Sequence, residues 1–526
     1  MTEYNSVTSV AIQMKESRKS VVRGLFKGGS IVFVGLALEL GISFFAKILM
    51  ARVLGQVDYG LATLGIKMLS FASAILLIGL NTGVGRYLPR FDREADRKGV
   101  ILSGLELALS VAAASAAVLG LFADPVATTF LRAPEAVSVL RAAAVGIPFA
   151  VLLKFSVGVV QGMEQTVPKV LIRNIFQPTV RFVLIAAVLI FGLGSIGIVW
   201  AYTATFVAAG VAGLYYVVRH TPVAVSTSGT RIHRELLRFS APLMLMTSIM
   251  MILSNLDVFF LSYFHSAEDI GVYNVVYPIA ELLTMTLSGF SFIFLPAFSR
   301  LHSEGHEGEM LRIYQVVTKW ILLLTLPALF YFVLFPETII RMTFGQEYAE
   351  GALALSVLAV GFSVQSLVGP NMQSLTSVGE TRTIMWINLV AGVTNVVLNY
   401  LLIPQYTYLG AAVATSVSYT LLNVLYSVAL YFRTGIHPFS LHLFKPLSGS
   451  IALMAAVAGI VSTGFQRNVA TLFGSFVAFA ILYALVILRL DAVQEEEMML
   501  LLSIEERFGV NLSIIKRFVK RVMGDQ

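Results

Sequence analysis

The sequence predicts an all-α integral membrane protein with about fourteen transmembrane helices. Three observations predict this class: 57% of the 526 residues are hydrophobic, only 13% are charged, and the mean hydropathy is +0.82. A soluble chain carries roughly 25% charged residues, and a globule cannot hide this much apolar surface in its interior. The lipid bilayer must therefore be the solvent for most of the chain.

Spanning helices are predicted wherever about 20 consecutive residues are mostly apolar, because that length crosses a bilayer. Fourteen such runs lie near 29–53, 59–84, 100–122, 137–161, 169–191, 196–218, 237–263, 271–297, 313–335, 350–377, 383–403, 409–432, 446–465 and 470–489.

The runs group into two pseudo-symmetric six-helix lobes plus two extra C-terminal helices. The predicted domains are an amphipathic N-terminus (1–28), an N-lobe (29–218), a linker (219–236), a C-lobe (237–432), the two added helices (446–489) and a tail (490–526). The tail is predicted to be an amphipathic helix on the cytoplasmic leaflet, with a solvated helix as an equally supported alternative.

Charge placement predicts the topology independently of hydropathy. Lys and Arg residues are concentrated in the even-numbered connections, and the opposite connections carry only Arg132, Arg141, Arg341 and Arg467. By the positive-inside rule, we expect both termini to lie in the cytoplasm. The expected location of the protein is the cytoplasmic membrane. Because the net charge of +7 is accounted for in this way, we expect no nucleic-acid partner.

Internal repetition indicates that the two lobes arose from one unit. Asp58-Tyr59-Gly60 opens the second run and Asp269-Ile270-Gly271 opens the eighth, while Leu88-Pro89 and Leu295-Pro296 close the same two runs. Such duplication is typical of transporters whose substrate path lies between two halves. Chance recurrence of loop glycines and prolines is the alternative.

Cationic stripes mark the spanning runs of the first lobe. The candidates for binding an anionic headgroup are Lys47, Lys67, Lys154, Arg173, Arg181 and Glu39, the last as a partner of the cations. A charge within a membrane is costly, so each is a functional candidate by default. The alternative is that these side chains snorkel to lipid headgroups; it applies to Arg52, Arg86 and Arg173, which lie near helix ends, and to Lys47 and Lys67 in the outer third of their spans.

Oxygen-bearing side chains mark the second lobe instead. The candidates for ion coupling are Asp257, Asn395, Asn399, Thr415 and Glu281, and Asn255 lies in the same run as Asp257. Carboxylate and amide oxygens suit Na⁺ or a proton relay. Hydrogen bonding between helices is the alternative, since Asn and Thr commonly supply it in membrane bundles.

No enzyme signature is present in the sequence. It contains no P-loop, no Gly-x-Ser-x-Gly and no dinucleotide fingerprint, and the absence of cysteine excludes thiolate chemistry. We therefore expect a transporter that is not an enzyme and has no cofactor other than a coupling Na⁺ or H⁺.

Several motifs occur in the order found in one known family. Ala51–Gly55, Asp58–Gly60 and Gly85–Pro89 open the chain, and Gly379–Arg382 leads to Asn395 and Asn399. The chain resembles the polysaccharide transporter family of the multidrug/oligosaccharidyl-lipid/polysaccharide (MOP) flippase superfamily. The resemblance implies two six-helix lobes around a cavity that opens alternately to either side, and an oligosaccharide carried on a polyprenyl phosphate or pyrophosphate.

The resemblance also implies an ion site. The related lipid II flippases hold sodium with an acidic residue on helix 7, an Asn-x3-acidic pair on helix 11 and a Thr on helix 12. Asp257, Asn395, Asn399 and Thr415 match those positions, but Asn399 replaces the acidic member and so removes a charge. Sodium coupling is therefore open at this point.

The function expected is a flippase for a lipid-linked oligosaccharide in cell-surface polysaccharide or glycoprotein assembly. Expected partners are this cargo, membrane lipids and the glycosyltransferases, polymerase or oligosaccharyltransferase of the same pathway. One alternative is an ion-coupled multidrug or metabolite exporter of the same fold. Another is a membrane glycosyltransferase or polymerase, although the external connections are short for such an enzyme.

Overall fold

The structure, a computed structural model, describes residues 2–75, 77–163, 165–224, 230–240, 256–462 and 469–489. Across these ranges the chain forms helices joined by short connections, without strands. Nine helices in this part of the chain are long and apolar enough to cross a membrane. The prediction of an all-α, multi-pass membrane fold is confirmed.

The first lobe is built on six helices. They are α1 (Thr2–Ile75), α2 (Ile78–Tyr87), α3 (Glu94–Leu121), α4 (Ala136–Gly162), α5 (Gln177–Ile190) and α6 (Gly194–His220). Short helical turns lie between them at Leu88–Arg90, Ala123–Pro125, Val126–Phe130, Thr166–Val170, Leu171–Phe176 and Pro222–Ala224. Two predicted runs share α1, which turns sharply at Gly55 (φ 75°, ψ 175°), a conformation that glycine adopts without steric cost.

The second lobe and the added helices follow. They are α7 (Leu256–Phe264), α8 (Ala267–Glu281), α9 (Met285–Glu304), α10 (Glu307–Leu334), α11 (Pro336–Thr343), α12 (Ala352–Val368), α13 (Asn371–Ser377), α14 (Thr381–Thr434), α15 (Leu441–Ser462) and α16 (Val469–Arg489). Turns of 3-10 helix lie at Leu282–Thr284 and Gln346–Gly351. The eleventh and twelfth predicted runs share α14, which turns at Thr407 (φ 51°, ψ −134°).

Each of the fourteen predicted runs overlaps a helix of the described residues. Part of the seventh run, 241–255, lies outside those residues, and Asn255 with it. The tail at 490–526 also lies outside them, so its amphipathic helix stays a prediction. Likewise, the placement of segment 1–28 and of both termini in the cytoplasm remains a prediction.

Glycines bring α2 and α4 into close contact. A Cβ atom at Gly158 would lie 2.8 Å from Cβ of Asn81, and one at Gly162 would lie 2.9 Å from Cα of Gly85. Small residues one turn apart let helix backbones approach closely where lipid gives no hydrophobic drive for association. α2, which contains the end of the second predicted run, therefore packs closely against α4 in the first lobe.

The two copies of the Asp-x-Gly motif meet at the seam between the lobes. A Cβ atom at Gly60 would overlap the carbonyl oxygen of Ala267, and one at Gly271 would overlap that of Gln56. The hydroxyl of Tyr59 donates to the carbonyl oxygen of Asn274 at 3.3 Å. Each glycine thus packs on the helix that carries the other copy, which agrees with duplicated halves.

Candidate functional site

Arg52 connects the lobes just before the turn of α1 at Gly55. Its Nε donates to the carbonyl oxygen of Thr343 at 2.7 Å, and its Nη2 donates to that of Met342. These carbonyls belong to the last turn of α11, where C=O groups lack partners within the helix and attract a cation. The guanidinium of Arg52 thus bonds carbonyls of the second lobe, a contact that the snorkelling alternative does not include.

Two further side chains strengthen this connection. Nε2 of Gln56 donates to the carbonyl oxygen of Glu347 at 2.6 Å and to Oε1 of Glu350 at 3.1 Å. The hydroxyl of Tyr348 donates back to the carbonyl oxygen of Ala51 at 3.0 Å. We call Arg52, Gln56 and Tyr348 the outer latch, because the predicted topology places them on the external side.

At the opposite end, the segment before the second lobe is fastened to the first lobe. Arg231 and His233 both pair with the carboxylate of Glu106 on α3, the latter at 2.9 Å. The rings of Phe239 and Tyr87 lie 5.6 Å apart in an edge-to-face arrangement. These contacts hold residues 230–240 on the N-lobe and are separate from the outer latch.

The N-lobe cation Arg181 is held by a hydroxyl and an aromatic ring. Its Nη2 donates to Oγ of Ser43 at 2.5 Å, and its guanidinium carbon lies 5.3 Å from the ring centre of Tyr202. Its Nε is buried and has no hydrogen-bond partner. Because α5 and α1 both contribute, the predicted cationic stripes of these two helices do meet.

Lys154 on α4 lies beside the break between α1 and α2, which interrupts the second predicted run. Its ammonium donates to Oγ of Ser73 at 2.7 Å and to the carbonyl oxygen of Ser70 at 3.4 Å. Ser70 belongs to the last turns of α1, where a cation is favoured by the helix dipole. Lys154 is half-buried and retains donor capacity beyond these two bonds, since an ammonium has three protons.

The other candidates of the first lobe differ in their surroundings. Glu39 accepts a hydrogen bond from Nδ2 of Asn174, so its partner is an amide and not a predicted cation. Lys47 is half-buried, and the charges of Glu281, Lys67 and Arg181 are close enough to act on it. Arg173 is exposed and contributes least to an enclosed site.

Four of the five ion-coupling candidates of the second lobe fall into two pairs, Asp257 with Thr415 around Tyr273, and Asn395 with Asn399. The hydroxyl of Tyr273 lies 3.2 Å from Oγ1 of Thr415, and the carboxylate of Asp257 is close enough to act on Tyr273. Asn399 donates from Nδ2 to Oδ1 of Asn395 at 2.9 Å. Asp257 is 7% exposed and Asn399 is fully buried, and Oδ1 of Asn399 has no hydrogen-bond partner.

Sequence reasoning missed the partners that hold these groups. Ser73, Asn174 and Tyr202 are each brought to a candidate from another helix, and nothing local in the sequence signals such contacts. It also missed Lys319, which is 2% exposed on α10 and lies 5.9 Å from the ring centre of Trp320. Its mid-run position on an apolar helix could have been noticed.

With this geometry established, comparison with known proteins assigns the family. Residues 25–302 match the family described as Polysaccharide biosynthesis protein, and residues 242–401 match the MatE family. The first match covers more than half of the chain. The chain belongs to the polysaccharide biosynthesis protein family.

The curated relatives align with this chain over only part of its length and part of their own. The "Probable low-salt glycan biosynthesis flippase Agl15" of Haloferax volcanii is 25% identical over 33% of this chain and 36% of its own length. The "Probable flippase AglR" of the same organism is 30% identical over 32% and 36%. The "Probable lipid II flippase MurJ" of Vibrio cholerae is 26% identical over 40% and 41%. The alignments thus span between a third and two-fifths of these relatives.

Solved structures establish the fold of the family member over most of its length. A lipid II flippase MurJ in an inward closed conformation superposes with a TM-score of 0.71 at 13% identity, covering 89% of this chain and 99% of that one. An inward-facing multidrug resistance MATE transporter of the MOP superfamily gives 0.65 at 16% identity, covering 77% and 98%. The MOP-type architecture predicted from the sequence is confirmed.

The outer latch yields a testable prediction about lobe separation. Arg52→Ala removes two charge-assisted hydrogen bonds that hold the lobes together, and because Arg52 is exposed, solvent screening limits the two to about 1 kcal/mol in total. Because the natural chain has no cysteine, Ala267→Cys at the seam can report opening by its rate of maleimide labelling in detergent. We expect Arg52→Ala to raise this rate by about fivefold.

Arg341→Ala is the matched control, because Arg341 pairs with Glu337 within α11 and does not join the lobes. It should leave the labelling rate of Ala267→Cys unchanged. Equal labelling rates in the Arg52→Ala and Arg341→Ala backgrounds would show that Arg52 does not hold the seam closed.

Proposed function

We propose that this chain is a flippase that moves a polyprenyl-(pyro)phosphate-linked oligosaccharide across the cytoplasmic membrane. The glycan serves cell-surface polysaccharide or glycoprotein assembly. The two lobes expose the site alternately to either side, with both chain termini in the cytoplasm. The probable glycan-biosynthesis and lipid II flippases among the relatives support this proposal. The cations of the first lobe support it further, because they favour an anionic cargo.

One observation carries the choice of an anionic cargo. Arg181 and Lys154 lie within membrane-spanning helices and are held by serine hydroxyls, and among the described residues neither forms an ion pair with a carboxylate. A cation away from water is costly unless an opposite charge approaches it. A phosphate or pyrophosphate supplies that charge and several acceptor oxygens, which suit guanidinium and ammonium donors.

The remaining cations extend this site toward the seam. Lys47 and Lys67 lie on the two halves of α1, on either side of the turn at Gly55, and Glu39 lies two turns before Lys47. Arg173 is close enough for its charge to act on Lys154. The polyprenyl tail stays in the lipid between the lobes while the headgroup occupies the cationic site. With the outer latch closed, loading takes place from the cytoplasmic side.

The chain binds and moves its cargo without chemical conversion. Membrane lipids surround it, and glycosyltransferases together with a polymerase or oligosaccharyltransferase are the partners that make and consume the cargo. Transport is then driven by an ion gradient, the membrane potential or removal of the product.

Ion coupling is proposed at the second-lobe pairs. The donor set is one carboxylate (Asp257), two amide oxygens (Asn395, Asn399) and one hydroxyl (Thr415), which fits a hard cation such as Na⁺. The buried Oδ1 of Asn399 without a hydrogen-bond partner fits the role of a ligand. A bound cation supplies charge balance for Asp257, and these residues hold it.

An ion-coupled multidrug or metabolite exporter is the second candidate. The exposed carboxylate of Glu281 and the MatE match over residues 242–401 favour it, since carboxylates attract cationic drugs. Efflux of such drugs that depends on Asp257 or Glu281, while Lys154 and Arg181 are dispensable, would support this alternative.

Removing the cations tests the proposed headgroup site. Lys154→Gln and Arg181→Gln keep a polar group but delete the charge, and each should slow glycan export roughly 10- to 100-fold, the equivalent of one charge-assisted bond. Export is measured as labelled surface glycan in cells that make only the variant, normalised to its abundance in the membrane.

Arg300→Ala is the control, because Arg300 is exposed near the end of α9, away from the site. Its export should match that of the unaltered protein. If Lys154→Gln and Arg181→Gln both export at the unaltered rate at equal abundance, the headgroup assignment is incorrect.

Asp257→Asn tests sodium binding apart from transport. A sodium concentration ten times the dissociation constant should stabilise the unaltered protein by about 1.4 kcal/mol in thermal unfolding, and choline chloride should not. Asp257→Asn should abolish the difference between the salts, while Asp124→Asn at an exposed position should keep it. Equal unfolding midpoints of the unaltered protein in both salts would contradict a sodium site.

A further inference from the structure

Three aromatic rings from three helices of the second lobe form one continuous group. The rings of Tyr277 on α8 and Phe362 on α12 lie 5.5 Å apart at 88°, and those of Phe362 and Tyr419 on α14 lie 4.9 Å apart at 80°. Phe362 is 3% exposed, whereas both tyrosines are half-buried. Phe362 therefore forms a fixed base, and the two tyrosines keep part of their surface open.

Polar groups border these rings. The hydroxyl of Tyr419 donates to Oε1 of Gln365, which leaves the NH₂ group of Gln365 as the end of that amide that donates. Glu281 lies one turn after Tyr277 on α8 and is exposed, and its charge acts on both Tyr277 and Tyr419. A carboxylate and an amide thus stand at the edge of an aromatic surface.

The group lies at the seam opposite the cationic site. The charge of Glu281 also reaches Lys47 of the first lobe, and α8 packs directly on α1 through Gly60 and Gly271. A ligand whose anionic end is bound by the first-lobe cations can therefore contact the tyrosines with the group attached to that end.

We propose that Tyr277, Tyr419, Gln365 and Glu281 form a carbohydrate subsite that binds the sugar of the cargo. This inference rests on the proposed function. The C–H face of a sugar ring packs on aromatic faces, while its hydroxyls donate to a carboxylate and accept from an amide. Pockets that recognise small molecules commonly combine aromatic walls with a few convergent polar groups in this way.

The subsite gives the transporter a means of selection. The first-lobe cations bind the phosphate end, which a glycan-bearing lipid and the bare carrier share. Only the glycan-bearing lipid also contacts the second lobe, and the two sets of contacts lie on different lobes. Discrimination between two ligands needs a contact that one of them lacks, and the sugar supplies it.

Equilibrium binding to the full chain in detergent tests the subsite with two probes. One probe is farnesyl pyrophosphate, which has no sugar, and the other is the polyprenyl-linked oligosaccharide pool extracted from cells that lack the protein. Tyr419→Leu and Gln365→Leu should each weaken binding of the pool at least tenfold and change binding of farnesyl pyrophosphate less than twofold. Lys154→Gln should weaken binding of both probes.

Two further variants separate a binding role from a structural one. Tyr419→Trp keeps an aromatic face and should retain binding of the pool. Tyr431→Leu on the same helix removes an exposed tyrosine outside the group and should change neither probe. If Tyr419→Leu does not fold, Gln365→Leu with the same two probes decides the question.

The outcomes distinguish this subsite from the proposed function. If Tyr419→Leu and Gln365→Leu bind both probes normally while Lys154→Gln binds neither, the subsite is overturned and the flippase stands. Equal weakening of both probes by Tyr419→Leu would also overturn it, because the residue would then act on the headgroup. If the unaltered protein binds neither probe, the proposed function itself fails.

Discussion

The constraint on which this structure depends is that two cations within membrane-spanning helices, Lys154 and Arg181, form no ion pair with a carboxylate among the described residues. Lys154 and Arg181 are held by Ser73 and Ser43, and hydroxyls orient a cation but do not neutralise it. The cost of such a charge is reduced when an anion arrives. This arrangement is the basis of the proposal that the first lobe binds a negatively charged headgroup.

Glycines at the seam determine how the two lobes face each other. Gly60 and Gly271 allow α1 and α8 to approach so closely that no side chain fits between them. The outer latch adds hydrogen bonds around this contact, from Arg52 to the end of α11. Since the cationic site and the aromatic group of the second lobe flank the same seam, separation of the lobes changes both together.

Much of the fold followed from the sequence, because hydropathy depends only on the order of residues. The spanning runs, the duplicated Asp-x-Gly motif and the residue types of both candidate sites were predictable. Contacts between distant segments were not. Lys154 and Ser73 are 81 positions apart, and Arg52 reaches a carbonyl 291 positions away. A backbone carbonyl carries no sequence signal, so the sequence alone cannot predict the contact between Arg52 and α11.

The central claim is that the chain translocates an anionic lipid-linked glycan. The most direct test is the profile of lipid-linked oligosaccharides in cells that lack the protein, with surface glycan quantified alongside. The account predicts that a full-length intermediate accumulates on the cytoplasmic leaflet while surface glycan is lost. An unchanged profile with normal surface glycan, in cells shown to have no second flippase, would contradict it.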